Sequence, residues 1–111
     1  ANPHDLMVGF DQSYLLSKNA DPDLEPAATV VSPDGLITHS VYTAKPAFEL
    51  YTGIWLQGPP NRSEDYYGKN AALALETQCL PDSPNHPEWL PGCILKPEDE
   101  YCSTTSYQFD Y

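Results

Sequence analysis

Short runs of β-branched and aromatic residues, separated by clusters of proline, glycine and aspartate, set the pattern of this chain. The run Gly9-Phe10-Asp11-Gln12-Ser13-Tyr14-Leu15-Leu16 predicts one strand, and the polar, proline-containing stretch from Ser17 to Pro26 predicts a loop. Ala28 to Val31 and Leu36 to Tyr42 flank Ser32-Pro33-Asp34-Gly35, whose Pro and Asp-Gly supply the backbone angles of a tight hairpin turn. Phe48 to Leu56 predicts a further strand, stopped at Gly58-Pro59-Pro60 because proline cannot donate to a ladder. Ala71 to Gln78 fits either a short helix or a buried strand. Four prolines among the twelve residues from Leu80 to Pro91 exclude a regular element there, and Tyr101 to Tyr111 alternates aromatic and polar residues as a final strand does. The expectation is an all-β, antiparallel chain of about six or seven strands with long loops. That leaves many unclosed edges for so small a unit, which points to a piece of a larger domain.

Composition narrows the function. The chain has 111 residues, enough for one domain, and its 12 prolines disfavour long helices. Sixteen acidic against five basic residues give a net charge of −11, a field that repels nucleic acid, anionic lipid and phosphorylated metabolites. Arg62 is the one arginine, so there is no cluster to clamp a phosphate. Neutral ligands or cations fit better. No apolar run approaches the roughly 20 residues that span a bilayer, so neither nucleic acid nor membrane is an expected partner.

Cys79, Cys93 and Cys102 lack the paired spacing of a zinc site, so no metal is expected. Cys93 and Cys102 flank a proline-containing turn and are the expected disulfide, with Cys79 as the competing partner. Asn61-Arg62-Ser63 is an N-glycosylation sequon in a proline-flanked loop. Together with the odd cysteine count, it suggests an extracellular chain, the alternative being cytoplasmic.

The segment Ala74-Leu75-Glu76-Thr77-Gln78, followed by Pro81-Asp82-Ser83-Pro84-Asn85-His86-Pro87, resembles the most characteristic stretch of the aldose 1-epimerases, or galactose mutarotases. Further blocks are similar to that family and stand in its order: Gly9-Phe10-Asp11 with Tyr14, Tyr42-Thr43 with Pro46, and Tyr51-Thr52-Gly53. The end, from Leu95-Lys96-Pro97 to Tyr107-Gln108-Phe109, resembles the family's final hairpin.

The resemblance implies an antiparallel β-supersandwich, with residues 1–111 supplying its C-terminal strands and the N-terminal part lying outside this chain. It also implies an isomerase that interconverts the α and β anomers of free hexoses such as galactose or glucose, without a cofactor. That chemistry needs a base for the anomeric hydroxyl and an acid for the ring oxygen. By resemblance Glu76 is the catalytic base and Asp11 binds the sugar; Glu49 takes a position where the family commonly has glutamine near the sugar. Ile54-Trp55 replaces a common Asn-Phe pair.

The family's two active-site histidines and its sugar-binding arginine lie far upstream of the Gly-Phe-Asp block. His4, His39 and His86 stand in no matching motif, so the acid is expected on another polypeptide segment carrying the N-terminal half of the domain. The alternatives are a non-catalytic carbohydrate-binding relative of the same fold and a secreted protein-interaction module.

Overall fold

The computed structural model describes residues 8–17, 25–58, 62–63, 65–89 and 93–111. Six antiparallel strands form two sheets among these residues: β1 (Asp11–Leu15), β2 (Ala28–Val31), β3 (Thr38–Thr43), β4 (Ala47–Tyr51), β5 (Ala74–Gln78) and β6 (Thr105–Asp110). One sheet has the order β1-β4-β5 and the other β2-β3-β6.

The expected hairpin is β2–β3, with Val31 opposite Thr38. Its turn is held locally. The Gly35 amide donates to the Ser32 carbonyl at 2.8 Å, and the Ser32 amide donates to the Ile37 carbonyl at 2.8 Å. Gly35 has φ +73°, a left-handed conformation that glycine adopts without a Cβ penalty. The Asp34 carboxylate accepts from the Ser32 hydroxyl and from the Leu36 amide, and these two bonds hold its pKa below the usual carboxylate range. Leu36 and Ile37 serve this turn and are exposed, so β3 starts at Thr38 instead of Leu36.

Two other boundaries also shift. β4 stops at Tyr51 and not at Leu56, because Gly53 turns the chain at φ +72° and its carbonyl accepts from Leu56 and Asn70. β6 begins at Thr105 and not at Tyr101. The ambiguous Ala71–Gln78 stretch is a strand over Ala74–Gln78. Pairing with β4, from Ala47 opposite Gln78 to Tyr51 opposite Ala74, overrides its helical propensity. Ser83–Asn85 forms one 3-10 turn within the proline-rich segment.

A threonine cluster joins the sheets. The Thr105 hydroxyl lies 3.0 Å from that of Thr43 on β3 and 3.0 Å from that of Thr77 on β5. The short link from β3 to β4 is pinned by the Ala44 amide donating to the Thr104 carbonyl at 3.0 Å.

The disulfide differs from expectation. It joins Cys79 to Cys93, whose Cα atoms are 6.0 Å apart, and Cys102 is free and exposed. The expected Cys93–Cys102 pair is therefore corrected. Cys79 follows directly on β5, and the chain beyond it returns to that strand end within bridging range, whereas Cys102 leads on towards β6.

The core is small. Among the described residues the buried apolar side chains are Val41, Ala47 and Ile54. The radius of gyration is 17.0 Å, against about 13 Å for a compact domain of this length. The accessible surface is 8620 Å², against roughly 6,100 Å² expected for a folded monomer of this mass. Apolar surface that a closed domain would cover is open here.

Candidate active site

Period-two alternation sorts the β1-β4-β5 sheet into two faces. Register places Ser13 opposite Glu49 and Glu49 opposite Glu76. Asp11, two residues before Ser13, and Gln78, two after Glu76, share that face, so Asp11, Glu49 and Glu76 come together across three strands. Facing Cβ atoms in such a pair are about 5 Å apart. Asp11 and Glu76 are exposed, while Glu49 on the central strand is half-buried.

Glu49 is the most engaged of the three. Its Oε2 accepts from the Ser13 hydroxyl and, at 3.4 Å, from the Gln78 side-chain amide. Two donors from the flanking strands thus hold this carboxylate between them, which offsets the cost of partly burying it. Ser13 and Gln78 were not singled out from sequence. The signal for both was available, since each stands two residues from a candidate site residue on the same strand.

Tyr51 closes one end of the face, and its hydroxyl accepts from the Trp55 amide at 3.0 Å. Trp55 itself is 58% exposed and leaves an indole face open beside it. The opposite face carries Tyr14, Phe48, Leu50 and Leu75 beside Gln12 and Thr77. Tyr14 and Phe48 stack there at 5.4 Å between ring centroids. A cavity of about 820 Å³ on that side is lined by Tyr14, Leu16, Pro46, Phe48, Leu80 and Trp89, and by none of the three carboxylates.

Neither described histidine reaches the carboxylate face. His39, on β3, stacks on Phe109 at 4.4 Å and nearly parallel, and its Nε2 is buried without a hydrogen-bond partner. His86 follows the 3-10 turn, with Nε2 at 3.3 Å from Asp82, Nδ1 at 3.2 Å from Glu88, and its ring stacked on Trp89 at 3.8 Å. His4 and the sequon residue Asn61 lie outside the described residues. Among the described residues no group of three or more His, Cys, Asp or Glu is arranged to hold a metal ion, and no helix is long and apolar enough to cross a membrane.

A carboxylate row with hydroxyl, amide and aromatic neighbours on an exposed sheet face can accept protons and hydrogen bonds from a polyhydroxylated ligand. The sequence profile of the aldose 1-epimerase family matches residues 2–108. The aldose 1-epimerase of Escherichia coli strain K12 is 46% identical over 102 residues, covering 91% of this chain and 29% of that protein. The mouse galactose mutarotase is 32% identical over the same shares. The crystal structure of a GalM/aldose epimerase homologue from C. elegans superposes with a TM-score of 0.73 at 26% identity, over 93% of this chain and 30% of that one. The chain thus spans about 29% of the length of the curated relatives it matches. Profile, relatives and fold agree: this chain belongs to the aldose 1-epimerase family.

Proposed function

We propose that this chain supplies the base-carrying sheet of an aldose 1-epimerase that interconverts the anomers of free hexoses such as galactose or glucose. The observation that carries the reading is the placement of Glu76, Glu49 and Asp11 on one polar face by the register of three strands.

Glu76 is the base. It takes the proton from the anomeric hydroxyl, the electron pair left on O1 forms the C1=O1 carbonyl, and the C1–O5 bond opens. O5 receives a proton from an acid outside this chain, in keeping with the two described histidines being engaged away from Glu76. Rotation about C1–C2 presents the other carbonyl face to O5, and on ring closure the O5 hydroxyl returns its proton to the acid while Glu76 gives its proton back to O1. Asp11 and Glu49 accept hydrogen bonds from ring hydroxyls and hold the pyranose in place for both half-reactions. Ser13 and Gln78 keep Glu49 oriented.

The acid comes from a second polypeptide segment that carries the N-terminal part of the domain. The small core, the open surface and the chain's 29% share of its relatives support this partner. The apolar cavity beside Phe48 and Trp89 is where such a segment packs. A second reading, sugar binding without anomer exchange, is favoured for the chain by itself, since no described histidine stands on the Glu76 face.

Polarimetry of freshly dissolved α-galactose and α-glucose tests the proposal. The samples are the chain alone, the chain assembled with the remaining part of the E. coli relative, and the same assembly carrying Glu76→Gln. Accelerated relaxation in the assembly that disappears in the variant supports it. A folded assembly with no acceleration sinks the enzyme reading and leaves sugar binding. Extracellular placement and a glycan on Asn61 belong to the same proposal. A glycosidase-sensitive mass shift in secreted material supports them, and unmodified Asn61 in such material rejects the glycan.

A further inference from the structure

We propose that Trp55 is the stacking wall of the sugar site and that Tyr51 positions it. The inference rests on reading the Asp11, Glu49 and Glu76 face as the place where a free hexopyranose binds. Tyr51 lies opposite Asp11 in the β1–β4 ladder and two residues from Glu49, so alternation sends its side chain off the same face as the carboxylates. Its hydroxyl accepts from the Trp55 amide at 3.0 Å. The chain after β4 therefore folds back, and the Trp55 backbone stands over the Asp11 end of the face. A pyranose that reaches from Glu76 to Asp11 crosses β4 between Glu49 and Tyr51 and meets this strap.

The strap is built to hold its shape. Gly53 turns it at φ +72°, and the Gly53 carbonyl accepts from the Leu56 amide at 3.0 Å and the Asn70 amide at 2.9 Å. Asn70 also donates its side-chain amide to the Val8 carbonyl at 3.0 Å. The Thr52 amide donates to the Phe10 carbonyl at 2.9 Å, and the Phe10 amide donates to the Thr52 hydroxyl at 2.8 Å. Ile54 is 6% exposed against this framework, while Trp55, next to it, is 58% exposed. Anchoring Ile54 inward turns the indole outward on a fixed backbone. A pyranose presents hydroxyls around its edge and C–H groups on its faces. Carboxylates accept from the hydroxyls, and the electron-rich face of an aromatic ring suits the C–H groups. Trp55 thus supplies the apolar wall that sites for small ligands combine with a few placed polar groups.

The test uses the assembled enzyme, with polarimetric kinetics on α-galactose and tryptophan fluorescence under galactose titration. Trp55→Ala should raise KM about tenfold and lower kcat far less, because stacking is made equally with substrate and transition state. Trp55→Phe should restore most of the KM. Tyr51→Phe keeps the ring but removes the acceptor, and should raise KM in the same direction by less. In a Glu76→Gln assembly galactose should still change the fluorescence, and adding Trp55→Phe should remove that change. Failure of the base reading shows separately, as a Glu76→Gln assembly of undiminished rate with the Trp55 effects intact. Unchanged KM in Trp55→Ala overturns the proposal, and so does an indole that is buried by the second segment and does not respond to sugar.

Discussion

Glu49 and Glu76 stand directly opposite each other in the β4–β5 ladder, two carboxylates facing across one pair of hydrogen-bonded strands. Like charges placed this way destabilise a sheet. Two donors are gathered on Glu49, from Ser13 on one side and Gln78 on the other, while Glu76 is left exposed. The sheet thus fixes one carboxylate and leaves its neighbour available to a ligand.

That asymmetry separates the two substitutions. In the assembled enzyme, Glu76→Gln should lower the polarimetric rate by roughly 10²–10⁴-fold, the loss of a general base. Glu49→Gln keeps an acceptor for Ser13 and removes the repulsion, so it should retain most of the rate. It should also stabilise the chain by about 0.2–1 kcal/mol, read as a rise in the urea midpoint. A Glu49→Gln variant as slow as Glu76→Gln would show that the rate depends on the Glu49 carboxylate as much as on Glu76.

The hairpin turn carries a pH signature. Asp34 is held below its usual pKa in the fold by the Ser32 hydroxyl and then the Leu36 amide. A depressed carboxylate contributes stability that is present above the unfolded pKa of about 3.9 and is lost as pH falls through the lower folded value. Urea midpoints should therefore fall more steeply for the natural chain than for Asp34→Asn as pH drops below about 4. Parallel curves for the two proteins would show that this turn is not a titrating element.

Gly53 should resist substitution. Its φ is +72°, and an added Cβ would lie 3.0 Å from the Ala72 carbonyl oxygen. Left-handed backbone costs an L-residue about 1–2 kcal/mol. Gly53→Ala should therefore lower stability by at least that amount in chemical unfolding. Gly35→Ala shares the backbone cost, but nothing lies within 4 Å of its Cβ position, so it should cost less.

The threonine junction between the sheets should also be measurable. Thr105→Val preserves shape but leaves the Thr43 and Thr77 hydroxyls without their shared partner. A cost of about 1–3 kcal/mol is expected, since each net hydrogen bond contributes roughly 0.5–1.5 kcal/mol. A double variant that also carries Thr43→Val should lose less than the sum of the two single changes, because one interaction is shared.

Much of the fold was legible because its signals are local. Ser32-Pro33-Asp34-Gly35 specified a hairpin that its own side chains complete. The strands were legible as runs, but their ends were not. β4 ends where Gly53 meets Asn70 across a loop, and no property of Phe48 to Leu56 announces that contact. Ala74–Gln78 was ambiguous for the same reason, since pairing with β4 decides it and pairing is long-range.

The sequence by itself determined the family, the residue types available for the chemistry and the acidic field that disfavours phosphate ligands, because motifs and charge are properties of the chain. It also set the period-two alternation that places Asp11 with Ser13 and Glu76 with Gln78. Only the tertiary structure decided that these two strands flank β4, that Glu49 faces Glu76 across the ladder, and that Cys79 rather than Cys102 bridges to Cys93. Strand order, register and disulfide pairing depend on which distant segments bury surface together, and that free energy belongs to the folded assembly of strands and not to any one of them.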